Sequence, residues 1–206
     1  MQPSPKPRGG RPWSFDREAA LETAMRLFWR HGYEGVSIGE LTRAIGVAPP
    51  SLYAAFGSKA GLYQEALRRY EAELGGFDGE AIAAAPSLAE AARRLLDGAV
   101  TAVTRSAELR GCMISSGLVT CHPDHAELAA HAAGRREAMR ARIAAALAPF
   151  AEGEALQRLS RHLATLLQGL SIQARDGVAE AELRGIVEEA VAGLAARALP
   201  GPRSGG

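Results

Sequence analysis

The stretch from Val36 to Lys59, VSIGELTRAIGVAPPSLYAAFGSK, constrains this chain more tightly than any other segment. Ser37 can cap a helix, because its hydroxyl accepts from a free backbone N–H of the first turn. Ile38, Leu41 and Ile45 then share one face at helical spacing. Gly46 supplies the positive φ that ends such a helix. Pro49 and Pro50 stand where a second helix begins, a place that tolerates proline because the missing N–H would have no partner there. Leu52, Tyr53 and Phe56 give that second helix an apolar side. Two short helices joined by a tight turn form a helix-turn-helix, whose second helix suits the DNA major groove.

The rest of the chain reads as helical. Its 206 residues are 47% hydrophobic, enough for a substantial core, and Ala, Leu, Arg and Glu favour helix over strand. An apolar stripe through Ala20, Leu21, Ala24, Leu27 and Phe28 predicts a helix from Asp16, its cap, to His31, with Gly32 as the stop. Gly57-Ser58-Lys59 caps a further helix over about 60–74. Glycines 75, 76 and 79 with Pro86 predict a linker over 75–86. Beyond it, Ser87 opens a long helix, 109–119 is a short apolar segment broken by Gly111 and Gly117, Pro123 opens another helix, and two leucine- and valine-striped helices finish the fold. The expected organisation is a basic arm (1–14), a head (15–60), a connecting helix (61–74), the linker (75–86), a helical ligand-binding and dimerisation domain (87–199) and a disordered tail (200–206).

Net charge is only +1, but it is unevenly distributed. Residues 1–70 hold ten Lys/Arg against six Asp/Glu, and residues 71–206 hold fourteen against seventeen. The basic excess thus lies with the helix-turn-helix, as attraction to phosphate requires. Arg8 and Arg11, in PRGGRP, belong either to a solvated terminus or to an arm that enters the minor groove. No apolar run is long enough to span a membrane and the N-terminus lacks a secretory h-region, so a cytoplasmic location is expected.

The run FDREAALETAMRLFWRHGYEGVSIGELTRAIGVAPPSLYAAFGSKAGLYQEAL, residues 15–67, resembles the TetR family of bacterial transcriptional regulators. The capped first helix, the Gly-Tyr-Glu-Gly turn, SLYAAFGSK and the fourth helix all carry the likeness. RGCMISSG at Arg110 to Gly117 resembles a feature of one subgroup. The resemblance implies an all-α homodimer that binds a pseudo-palindromic double-stranded operator, usually as a repressor, and leaves it when a small molecule enters the body. It places Ser37, Tyr53 and Lys59 on phosphates, which suits a hydroxyl or cation beside a helix N-terminus. It places Ala48, Pro49, Pro50, Ser51 and Ala54 on the groove-facing side of the recognition helix, with Gly39 behind.

That reading edge is poor in donors. Bidentate recognition needs Arg or Lys for guanine and Asn or Gln for adenine. Base choice is therefore expected to rest on thymine-methyl contacts by Pro49, Pro50 and Ala54, one bond from Ser51, the Arg8/Arg11 arm and DNA shape. The last two helices are expected to pair across a two-fold through Leu159, Leu163, Leu166, Leu170, Ile186, Val187, Ala190 and Leu194. A ligand pocket is expected near Cys112, Met113, Ser116, Met139 and Leu167.

Cys112, Cys121, His122 and His125 lie close together, which leaves open a thiol- or metal-responsive sensor or, less simply, a thiol enzyme. Their spacing matches no dependable zinc pattern, and adjacent Cys121 and His122 would point apart on a helix. The simpler reading buries Cys112 in the core and uses His122 and Asp124 to cap the helix at Pro123. No metal, cofactor or catalytic residue is expected.

Overall fold

The computed structural model describes residues 15–196, so the arm with Arg8 and Arg11 and the tail 200–206 fall outside the described residues. The described residues form ten α-helices and one 3-10 turn, with no strand among them. In order the helices are α1 (Arg17–His31), α2 (Ile38–Ile45), α3 (Pro49–Phe56), α4 (Lys59–Glu73), α5 (Gly79–Ala83), α6 (Leu88–Thr104), α7 (Met113–Ser116), α8 (Ala126–Leu147), α9 (Gly153–Arg175) and α10 (Glu180–Ala195). The 3-10 turn, Pro123–His125, precedes α8.

Local chemistry sets the boundaries in the head. Asp16 accepts from the backbone N–H groups of Glu18 (3.0 Å) and Ala19 (3.1 Å) at the start of α1. Ser37 and Glu40 form a reciprocal capping box on α2: the Glu40 N–H donates to Ser37 Oγ (3.1 Å), and the Ser37 N–H donates to Glu40 Oε2 (2.7 Å). Gly46 takes the left-handed conformation (φ 80°) that closes α2. Pro49 and Pro50 occupy the first positions of α3, and Ser58 caps α4.

A single apolar core runs from the head into the body. In the head, Phe28, Tyr33 and Tyr63 pack as an aromatic cluster, with the Phe28 and Tyr63 rings 5.1 Å apart and nearly perpendicular. α1 packs on α4, α10 on α6, and α9 on α8 and α6. No helix among the described residues is long and apolar enough to cross a membrane.

Two expectations change. The segment 75–86 is not an open linker: Asp78 caps the five-residue α5, whose Ile82 is buried and which packs on α8 and α6. Its glycines and proline mark real breaks, but a helix this short shows no apolar period. Second, Leu159, Leu163, Leu170, Val187 and Leu194, expected at a two-fold interface, are all buried inside the chain's own core. Leu166 and Ala190 are half-buried, and Ile186 alone of that set is exposed. The strongest apolar stripes of α9 and α10 are covered within the chain, α10 by α6 and α9 by α6 and α8.

Candidate nucleic-acid interface

α3 is held from beneath by Leu52 and Phe56, which are buried, while Pro49, Pro50, Tyr53 and Ala54 face outward with Ala48 and a half-buried Ser51. Tyr53 is 45% exposed, unusually open for a tyrosine beside an aromatic core. The N-terminus of α3 offers almost no backbone donors. Two prolines remove N–H groups, and those of Ser51 and Leu52 are bonded to the Ala48 carbonyl at 3.0 and 3.3 Å. α2 is different. Its capping box uses the N–H groups of Ser37 and Glu40, leaving those of Ile38 and Gly39 without an intrahelical partner. Gly39 is exposed and has no side chain to cover them.

Ser37 is both structural and available: its Oγ contacts Glu40 and stays at the surface. The Ser37 N–H and hydroxyl hold the Glu40 carboxyl below its ordinary range. Lys59 lies with its ammonium 4.2 Å from the centre of the Tyr33 ring. Partial burial pushes its pKa down, against the pull of Glu34 and Glu40. Arg43, absent from the expected set, is exposed one turn beyond Gly39 on the same face of α2, and no ion pair to it occurs among the described residues. The i, i+4 spacing of Gly39 and Arg43 carries that signal in the sequence. By contrast Arg17 and Arg69 are tied to Glu65, Glu18 and Glu73, and Arg17 stacks on Phe56.

A cavity of about 430 Å³ lies in the body between α4, α5 and α6. Cys112, Met139 and Leu167 of the expected pocket line it, together with Tyr70, Leu95 and Ser115. Met113 and Ser116 do not; they line a smaller cleft between α1 and α7 with Tyr63 and Arg175. Burial pushes the Tyr63 phenol up to about 12.

The same α7 that walls the cavity touches the head. The Trp29 indole N–H donates to the Gly111 carbonyl (3.1 Å). The Arg175 guanidinium, from α9, donates to the Trp29 carbonyl and to Ser116 Oγ. Gly111 has a positive φ of 80°, and a Cβ there would stand 2.9 Å from the Ser171 carbonyl and 2.7 Å from Arg175 Cγ, so the turn before α7 admits no side chain. Arg136 donates to the Gly117 carbonyl (2.7 Å) at the other end of α7.

The histidines serve the same junction. The His122 N–H donates to Glu34 Oε1 (2.7 Å), His125 packs edge-on against Tyr33 with ring centres 4.9 Å apart, and His122 Nδ1 accepts from the Asp124 N–H. Both cysteines are free, and no group of three or more metal-ligating side chains occurs among the described residues. Cys112 shares a hydrogen bond with the Tyr70 hydroxyl, whose pKa burial raises.

Residues 20–66 match the family model of bacterial regulatory proteins, tetR family. The chain is 34% identical over 179 residues to the HTH-type transcriptional repressor ComR of Escherichia coli (strain K12), spanning 82% of this chain and 83% of that protein. It is 32% identical over 185 residues to the HTH-type transcriptional repressor BdcR of the same organism. Among solved structures it is similar to a cysteine-substituted CifR, a TetR family transcriptional regulator complexed with 26-bp double-strand operator DNA, with 36% identity, a TM-score of 0.81 and coverage of 92% of this chain and 100% of that one. The chain therefore belongs to the TetR family, whose members are transcription regulators rather than enzymes.

Proposed function

We propose that this protein is a cytoplasmic, homodimeric transcriptional repressor that binds a pseudo-palindromic operator and is released by a small molecule entering the body. The observation that carries the reading is the capped, outward-facing α2–α3 pair on a chain 36% identical to a regulator solved on operator DNA. Ser37, Tyr53, Lys59 and the free first-turn N–H groups of α2 hold the phosphates, joined by Arg43. Ala48, Pro49, Pro50, Ser51 and Ala54 face the base edges, Gly39 lets α2 approach closely, and the Arg8/Arg11 arm adds a minor-groove contact. Methyl contacts and DNA shape then make most of the sequence choice.

The dimer forms through the outer faces of α9 and α10. Only four large apolar side chains are conspicuously exposed among the described residues, and Ile172 and Ile186 are two of them, one on each helix. A Cβ added at Gly169, Gly185 or Gly193 would meet nothing within 4 Å, so these faces are open and allow a second copy to approach closely. Release follows from the junction: a molecule that displaces α7 moves Gly111 against Trp29 and shifts the head through α1.

Selection from random duplex DNA, followed by binding to single-substitution operators at several salt concentrations, tests the reading. A salt-dependent, two-fold-related site is expected. Failure to enrich any site would overturn it, and dominance by single G·C positions, each costing about 1–3 kcal/mol, would overturn the methyl-and-shape account.

A further inference from the structure

The polar groups around the main cavity are almost all committed. Asp78 accepts from the Ala81 N–H (2.9 Å) to cap α5. Arg94 donates to the Ala81 carbonyl (2.6 Å) and pairs with Glu90 (3.2 Å). Both residues are exposed and stand at the rim. Tyr70 is engaged with the Cys112 thiol and the Met113 backbone. Ser116, next to the cavity in sequence, is satisfied by the Cys112 carbonyl (2.8 Å) and Arg175. Ser115 is the exception. It is only 6% exposed, it lines the cavity, and among the described residues no hydrogen bond engages its hydroxyl, whose oxygen is not fully buried. A hydroxyl on a cavity wall without a protein partner is free to donate to an occupant.

We propose that this cavity takes a small, uncharged, mainly apolar molecule bearing one oxygen acceptor, held with that oxygen on Ser115 and its hydrocarbon against Leu95, Ala99, Val103, Met139 and Leu167. The proposal rests on the effector-responsive reading above and names the effector's class. Inside the rim formed by Asp78 and Arg94 the lining carries no charged side chain, so a carboxylate or an ammonium there would meet no countercharge. Desolvating either without a partner is unfavourable. The volume, about 430 Å³, lies within the range of small-molecule sites. Ser115 also lies on α7, between Gly111, which meets Trp29, and Gly117, which meets Arg136. An occupant that draws on Ser115 thus acts on the helix that braces the head.

The test is calorimetric titration of the full-length protein with octanone, cyclohexanone and octanol against octanoate and octylamine, alongside operator binding with each probe. At least one neutral probe binds, octanoate and octylamine bind at least about tenfold more weakly, and Ser115→Ala weakens the neutral probe roughly tenfold, the loss of one hydrogen bond. Ser116→Ala leaves that affinity unchanged, and Ala99→Phe, which fills the cavity, abolishes binding while circular dichroism remains that of the parent. Absence of binding by every neutral probe, tighter binding of a charged one, or an unaltered Ser115→Ala would overturn the proposal. Ser115-dependent binding with no effect on the operator complex would instead overturn the effector reading. Operator release by a charged probe that ignores Ser115 would keep the effector reading and remove this site.

Discussion

In the head, each short helix is bounded by groups that act within a few positions of one another: Asp16 on α1, Ser37 with Glu40 on α2, the proline pair on α3 and Ser58 on α4. In the body, α9 runs for 23 residues with no side-chain cap at its N-terminus, and what it does depends on which neighbour covers which face. The head is thus a locally specified object that presents a surface. The body is a tertiary object that encloses a cavity and leaves two helix faces uncovered. The two meet at α7, where Trp29, Gly111 and Arg175 join them.

The largest effect that would sharpen this contrast lies on the uncovered faces. Ile172→Arg combined with Ile186→Arg is expected to give a monomer by sedimentation and to lower operator affinity on the order of 100-fold, the loss of two linked half-sites. A dimer that survives both changes would place the interface elsewhere. Next comes the junction. Arg175→Met removes charge-assisted bonds to Trp29 and Ser116, and is expected to cost about 2 kcal/mol in urea unfolding and to blunt effector-driven release. Full release with unchanged stability would break the claim that α7 couples the two parts.

Smaller effects belong to the head. Lys59→Ala should weaken binding similarly on all operator sequences and reduce the log–log salt slope by about 1, the mark of one phosphate contact. A slope that does not move would leave Lys59 as a structural cation on Tyr33. Ser37→Ala should destabilise the head by about 1 kcal/mol, the usual worth of an N-cap. It should also flatten the acid limb of stability. The Glu40 carboxyl is held below its ordinary pKa, so its contribution is present above the unfolded-state value and fades as pH falls through the folded-state value. Ser37→Ala keeps the backbone N–H, the larger cause of that depression, and removes the hydroxyl's share, so thermal melts across the carboxylate range would register a partial flattening.

Ser115 and Ser116 show where reading by residue type stops. They are chemically identical neighbours in a four-residue helix, and one position turns a side chain by about 100°. Ser116, the residue expected at the pocket, is bonded to Arg175, while Ser115 lines the cavity. With so few residues there is no periodicity to decide between them. The same limit explains the interface leucines. A stripe such as Leu159, Leu163 and Leu170 shows that α9 has an apolar side, but not whether α6 and α8 or a second copy covers it.

The helix-turn-helix is legible in the residues alone, because caps, proline positions and the left-handed Gly46 act over a few bonds and need no partner from afar. The all-helical class is legible for the same reason, through periodicity and propensity. Packing between distant helices sets the rest: that Gly79–Ala83 within 75–86 folds as α5, that Cys112, Met139 and Leu167 share a cavity with Ser115, that His122 and His125 brace the head, and that Ile172 and Ile186 stay outside. Those outcomes depend on which distant helix packs where, and that is set by burial competing across the whole chain rather than along any one segment.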